Sequence, residues 1–128
     1  MYTPSEEDPL QYMLLVYNDP AAAPEIGTPE AAGIHEEWNS YTAWLNEQGT
    51  VSSGAGLQGV ETATTVRVVN DDVLFTDGPF AETKEILVGY YVIDVADLDA
   101  ALTVAAKAPN VTYGSIEVRP VMVYPDQA

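Results

Sequence analysis

The alternation of hydrophobic and polar positions along the chain separates strands from helices. Residues 11–17, QYMLLVY, are apolar on both alternating faces, and residues 88–95 have the same pattern. Strands of this kind lie inside a sheet that is covered on both sides. Residues 115–124 predict a last strand, in which Pro120 favours an edge position or a bulge.

Weaker strand patterns lie in the middle of the chain. Residues 51–58, VSSGAGLQ, are glycine-rich and predict a bent or edge strand. The segments TATTVRVV and VLFT stand on either side of NDD, which is typical of a β-hairpin.

Two segments have helical spacing. Thr28, Pro29 and Glu30 supply a capping hydroxyl, a proline at the first helical position and an acid in the first turn. The helix that starts there has about 19 residues and a buried stripe of Ala31, Ile34, Trp38, Tyr41 and Leu45, and it ends at Gly49. Residues 97–108 predict a second helix, which should bury Leu98, Ala101, Leu102 and Ala105.

The order strand, helix, strand, hairpin, strand, helix, strand predicts an α+β protein, a ferredoxin-like sandwich with an inserted β-hairpin. Two helices cover only one face of the sheet, yet two strands are apolar on both faces. A second copy of the sheet is the simplest cover for the other face, so the pattern indicates a homodimer.

Length and composition predict one domain. We assign residues 11–124 to it, residues 1–10 to a flexible acidic tail and residues 125–128 to a C-terminal tail. The chain has neither an apolar run near the roughly 20 residues of a membrane span nor a secretory signal pattern, so we expect a soluble, cytoplasmic protein without membrane contact.

The charge balance narrows the function classes. Twenty acidic residues face four basic ones, for a net charge of −16, and the chain has no cysteine. Such a surface repels phosphate backbones, which argues against nucleic-acid binding. The missing cysteines exclude disulfides and thiolate chemistry.

The segment DGPFAETKE, residues 77–85, is the leading candidate site. Asp77 either serves as a turn residue or, at the margin of a buried strand, acts as an acid or base. Residues 80–85 can form one short helical turn that places Phe80 towards the core.

His35 is the only histidine, and it lies at the boundary of the buried helical stripe. It is either a structural residue or the partner of Asp77 in an acid/base pair, and spacing alone does not decide between these roles.

The basic residues supply the remaining candidates. Arg67 interrupts an apolar strand, and Glu117 and Arg119 share a face of the last strand. They form either structural ion pairs or a cationic floor for an anionic ligand. With Lys84 of the motif, they are the candidate substrate-binding residues. Neither a cofactor motif nor ligand spacing for a metal is present, so we expect no cofactor and no metal.

Several segments together resemble the YCII-related family, and specifically its DGPF subgroup. They are YMLLVY, His35, GLQ, TATTVR, DGPFAETKE, GYYVIDV, LDAAL and IEVRPV. The resemblance implies a ferredoxin-like fold that dimerises through its sheet into a dimeric α+β barrel.

The wider group resembles small lyases and isomerases with a proposed His and Asp pair, which corresponds to His35 and Asp77 here. Members of the subgroup often lie beside genes for extracytoplasmic-function sigma factors. Two hypotheses follow: a cofactor-independent lyase or isomerase that acts on a small organic ligand, or a non-catalytic dimeric module that binds a ligand or serves sigma-factor-dependent regulation.

Overall fold

The computed structural model describes residues 10–25 and 27–124. Its helices are α1 (Pro29–Glu47) and α2 (Leu98–Ala105). Its strands are β1 (Leu10–Asn18), β2 (Val51–Gly56), β3 (Thr64–Val69), β4 (Asp72–Asp77), β5 (Ile86–Val95) and β6 (Gly114–Pro120). The tails assigned to residues 1–10 and 125–128 lie outside the described residues, except that Leu10 begins β1.

Four antiparallel strands form one sheet in the order β2-β5-β1-β6, and β3 and β4 form a separate two-stranded sheet. The protein is therefore α+β with antiparallel sheets and two helices, which is compatible with a ferredoxin-like fold. The glycine-rich strand β2 lies at the sheet edge and is irregular between Val51 and Ser53, as predicted.

Helix α1 begins and ends at the capping residues that the sequence predicts. The hydroxyl of Thr28 accepts a hydrogen bond from the Ala31 amide, Pro29 is the first helical residue, and Gly49 follows the helix with a φ of +65°. Tyr41 and Leu45 of the predicted stripe are buried, while Ala31, Ile34 and Trp38 are half-buried.

One core connects both helices to one face of the sheet. Tyr12, Leu14 and Ile93 of the sheet pack with Tyr41 and Leu45 of α1 and with the small side chains Ala101, Ala105 and Ala108 in and after α2. The hydroxyl of Tyr41 donates to the Val104 carbonyl at 2.8 Å, which ties α1 to α2. Burial, with a smaller contribution from Tyr91, raises the pKa of Tyr41 far above its usual value.

The prediction of which side chains of α2 are buried was partly wrong. Ala101, Val104 and Ala105 are buried, whereas Leu98 and Leu102 are each 47% exposed. Small side chains let the helix approach the sheet closely, so the alanine side faces the core and the two leucines turn outward.

The predicted helical turn of residues 80–85 is absent as well. Gly78 has a φ of +97°, and the residues after it form bends without a helix. Phe80 is 78% exposed instead of pointing towards the core.

Candidate binding cavity

A cavity of about 530 Å³ lies between α1, β2 and β5. The first wall comes from α1, where His35, Asn39, Thr42 and Asn46 recur every three or four residues and so share one side of the helix. The opposite wall is edge strand β2, whose side chains from Ser52 to Gly56 are small.

Aromatic rings form another part of the lining. Trp38 and Tyr91 are stacked, with centroids 6.3 Å apart and an interplanar angle of 22°. Thr42 Oγ1 lies 2.7 Å from the hydroxyl oxygen of Tyr91, a hydrogen bond that ties the helix to β5. Tyr41 packs edge-on against both rings from the core side. The ring of Tyr91 is therefore held from two directions.

Gly54 leaves room for the Tyr91 ring at the cavity. A Cβ atom at Gly54 would lie 2.9 Å from the Tyr90 carbonyl oxygen and 2.9 Å from the Tyr91 ring. A side chain there would displace either the strand pairing or the ring, because contacts of that length are repulsive. The glycine-rich sequence of β2 thus allows β2 and β5 to lie close together.

Of the two residues predicted as an acid/base pair, His35 lines the cavity and is exposed to solvent. Asp77 is the last residue of β4, where it pairs with Thr64 and is exposed. Within the described part of the chain, no hydrogen bond or ion pair joins the two side chains, and Asp77 does not line the cavity.

The predicted substrate-binding residues lie in three other places. Arg67 on β3 donates to the Phe80 carbonyl at 3.4 Å. Arg119 Nε lies 3.1 Å from Glu117 Oε2 on β6, and Lys84 Nζ lies 3.8 Å from Asp19 Oδ2. None of the four lines the cavity as the described residues form it.

Glu117 and Arg119 therefore form an ion pair on one strand. Tyr17 adds a hydrogen bond from its hydroxyl to Glu117 at 3.4 Å. The pair is largely solvated, since its side chains are 41% and 68% exposed. Such a pair contributes little to stability, at most about 1 kcal/mol.

The cavity residues Trp38, Asn39, Thr42 and Asn46 were not predicted as site residues. Trp38 belongs to the predicted buried stripe of α1, and the signal of the three polar residues is their spacing beside that stripe. That spacing is compatible with a solvated helix face, and only the position of β2 turns it into a cavity wall.

Across residues 10–25 and 27–124, no three His, Asp or Glu side chains cluster closely enough to hold one metal ion. No helix in that part of the chain is long and apolar enough to cross a membrane.

Comparison with known proteins identifies the family. The profile of the YCII-related domain matches residues 10–125, nearly the whole chain. The chain is also 36% identical over 115 residues to an uncharacterized protein of Rhizobium meliloti strain 1021, a match that covers 88% of this chain and 93% of that protein. The chain therefore belongs to the family of YCII-related domain proteins.

Proposed function

We propose that this protein binds a small organic molecule in the cavity between α1, β2 and β5, and that His35 exchanges a proton with it, as in a lyase or an isomerase. The observation that carries this proposal is the position of the single histidine at a cavity with aromatic and neutral hydrogen-bonding walls. A volume of about 530 Å³ is within the range of small-molecule sites.

His35 is suited to proton exchange. Histidine is the residue type that gains and loses a proton near neutral pH without a perturbing environment. The exposure of His35 lets the imidazole return its proton to solvent. An imidazole nitrogen that takes a proton from a carbon beside a carbonyl group, and later returns one, performs the elementary step of many lyases and isomerases. This step requires no organic cofactor.

Asp77, the second residue of the proposed pair, lies on a different part of the molecule. Asp77 lies at the end of the β3–β4 hairpin, outside the cavity of the same protomer. For Asp77 to act on the same ligand as His35, it has to come from a second copy or from a rearranged hairpin. The proposal therefore rests on His35, and Asp77 is tested separately.

Proton exchange is measurable without knowledge of the natural substrate. We expect the protein to accelerate hydrogen–deuterium exchange beside the carbonyl of at least one of acetophenone, cyclohexanone and pyruvate in D₂O, followed by proton NMR. His35→Gln should lower that rate at least about 100-fold, because a positioned general base contributes on this scale.

Two further variants complete this experiment. Ser40→Ala changes an exposed residue of α1 that does not line the cavity, and it should keep exchange within about twofold of the unmodified protein. Asp77→Asn should lower exchange if Asp77 belongs to the pair, and an unchanged rate would remove it from the chemistry. Exchange that survives His35→Gln, or no exchange with any of the three compounds, would contradict the enzyme proposal.

A second proposal concerns assembly, and we infer that two copies pack sheet to sheet into a dimeric α+β barrel. The sheet face opposite the helices is apolar on neighbouring strands, where Met13 pairs with Val92 and Leu15 pairs with Tyr90. These four side chains are half-buried, although they lie outside the described core that α1 and α2 form with the sheet. A second sheet would bury them fully.

The β3–β4 hairpin supports the same inference. One of its faces carries four apolar side chains, 56 to 72% exposed: Val66, Val68, Val73 and Phe75. We call this face the apolar ribbon. An isolated two-stranded hairpin is marginal in water, so a partner that covers the apolar ribbon would stabilise it.

The dimer is tested by sedimentation equilibrium. We expect twice the mass of the chain, and we expect Phe75→Ser to weaken association by about tenfold or more, since burial of an exposed phenylalanine contributes roughly 1.5–3 kcal/mol. Phe80→Ser, at a similarly exposed phenylalanine outside the apolar ribbon, is the matched control. A monomer at all concentrations would refute the dimer. A dimer without proton exchange would favour a non-catalytic, regulatory module.

A further inference from the structure

The charge of the described side chains that line the cavity restricts the kind of ligand. Among the described residues, Asp, Glu, Lys and Arg are all absent from the lining, and the titratable groups present are His35, Tyr90 and Tyr91. The whole chain has 24 residues of these four charged types.

Each lysine and arginine of the protein makes its contacts away from the cavity. Lys107 lies over the Trp44 ring, with its Nζ atom 5.1 Å from the ring centroid. Arg67, Lys84 and Arg119 contact a backbone carbonyl, Asp19 and Glu117 respectively. An anionic ligand in the cavity would therefore lose its hydration without gaining a lysine or arginine partner.

The net charge of the whole molecule also disfavours anionic ligands. A net charge of −16 produces a negative potential around the protein, which lowers the local concentration of anions. A cationic ligand would be attracted to the surface, but it would find no carboxylate within the lining. An uncharged ligand is not repelled by the negative potential, and it does not lose the strong hydration of an ion when it enters the cavity.

The shape and polarity of the walls specify the ligand further. The stacked pair of Trp38 and Tyr91 presents aromatic surface, which favours flat rings. Asn39, Thr42 and Asn46 supply neutral donors and acceptors along one side. The small β2 residues from Gly54 to Gly56 leave space on the opposite side. These features together suit a flat ring that carries one or two polar oxygen atoms.

We propose that this cavity selects an uncharged aromatic molecule with a carbonyl or hydroxyl group, which stacks against Trp38 and Tyr91 and hydrogen-bonds to the neutral side chains of α1. This inference rests on the proposed function of the same cavity and names its substrate class. It replaces the expectation of an anionic ligand held by Arg67 and Arg119, since neither arginine lies at the cavity.

Three probes of nearly equal size test the charge preference. Benzamide is neutral, benzoate is anionic and benzylammonium is cationic. Trp44→Phe leaves Trp38 as the single tryptophan, so fluorescence reports on the cavity. At physiological salt, we expect benzamide to saturate with a dissociation constant of about 1–10 mM, which is ordinary for a ligand of this size. Benzoate and benzylammonium should bind at least about tenfold more weakly.

A second readout does not depend on the tryptophan variant. The unmodified protein has one histidine, so its imidazole ring gives one set of proton NMR signals. Benzamide should shift these signals with the same dissociation constant. The agreement of both titrations would place the probe at the cavity wall that carries His35.

Thr42→Val tests the hydrogen-bonding side of the cavity. The two side chains have the same shape, and the substitution removes the hydroxyl that contacts Tyr91. We expect benzamide to bind about fivefold more weakly. Thr103→Val on the exposed side of α2 is the matched control and should leave the binding unchanged.

The outcomes separate this inference from the proposed function. Benzoate or benzylammonium binding as tightly as benzamide, or no saturable benzamide binding, would overturn the inference. Hydrogen–deuterium exchange on pyruvate alone would support the proton-exchange function and contradict an uncharged ligand. Benzamide binding without exchange on any compound would support the ligand class and contradict the enzyme.

Discussion

Leu45→Ala is expected to destabilise the protein by about 2–5 kcal/mol, the cost of removing a large apolar side chain from a closed core. Leu45 is 0% exposed and packs in the cluster that joins α1, α2 and the sheet. A whole domain has only about 5–15 kcal/mol of stability, so this one substitution removes a large share of it. The free energy of unfolding is measured by urea denaturation.

Leu102→Ala is the matched control for this prediction. Leu102 is 47% exposed on the outer side of α2, and the chemical change is identical. We expect a loss of less than about 1 kcal/mol, because surface substitutions create no cavity. Similar losses at both positions would mean that α1 does not pack on the sheet through Leu45.

Asn110→Asp is expected to destabilise the protein by about 3 kcal/mol or more at neutral pH. Asn110 is 0% exposed, and its Nδ2 atom lies 2.9 Å from the Tyr17 carbonyl oxygen, 3.2 Å from Asn18 Oδ1 and 3.3 Å from the Ser115 carbonyl oxygen. The substitution keeps the shape but places an acceptor-only carboxylate against three oxygen acceptors. An uncompensated buried charge costs several kcal/mol.

The pH dependence identifies the cause of that loss. Burial beside oxygen acceptors should raise the pKa of the introduced carboxyl group above its unfolded value. The folded state then holds the proton more tightly, so part of the stability returns as the pH falls towards the unfolded pKa, near about 4. Urea denaturation at about pH 7 and about pH 5 measures this recovery.

Asn39→Asp is the control for Asn110→Asp. Asn39 is exposed on α1, so the same chemical change should alter the unfolding free energy by no more than about 0.5 kcal/mol. An equally small effect at Asn110 would show that its amide does not hold the start of β6 against the end of β1.

Much of the secondary structure follows from short sequence signals. Thr28 and Pro29 begin α1, and Asn70 and Asp71 have φ angles of 51° and 69° in the predicted hairpin turn. Asn and Asp tolerate positive φ better than most residues, so the NDD signal is local in origin. These features depend on neighbours within a few residues, and the sequence displays those neighbours directly.

The wrong predictions arise where a local pattern has more than one solution. Helix α2 has apolar side chains on most of its circumference, so its pattern does not select the packed side. Contact with the sheet favours Ala101 and Ala105 over Leu98 and Leu102. Phe80 is similar, because its hydrophobicity suggests burial while the chain after Gly78 carries it away from the core.

For the candidate site, too, the sequence identifies residues and the structure gives their positions. Composition identifies His35 as the single histidine, and the motif of residues 77–85 draws attention to Asp77. The sequence around His35 and around Asp77 does not indicate whether the two side chains are close in space. The structure places His35 at a cavity and Asp77 on the hairpin, and it assigns the two arginines to other contacts.

The α+β class, the ends of α1, the hairpin turn and the candidate residues follow from the sequence, because each depends on composition or on neighbours in the chain. Only the folded chain shows which side of α2 is buried, which residues line the cavity and that, among the described residues, no Asp, Glu, Lys or Arg lines it. These features depend on distances between β2, β5 and α1, and such distances are set by packing of segments that are far apart in the sequence.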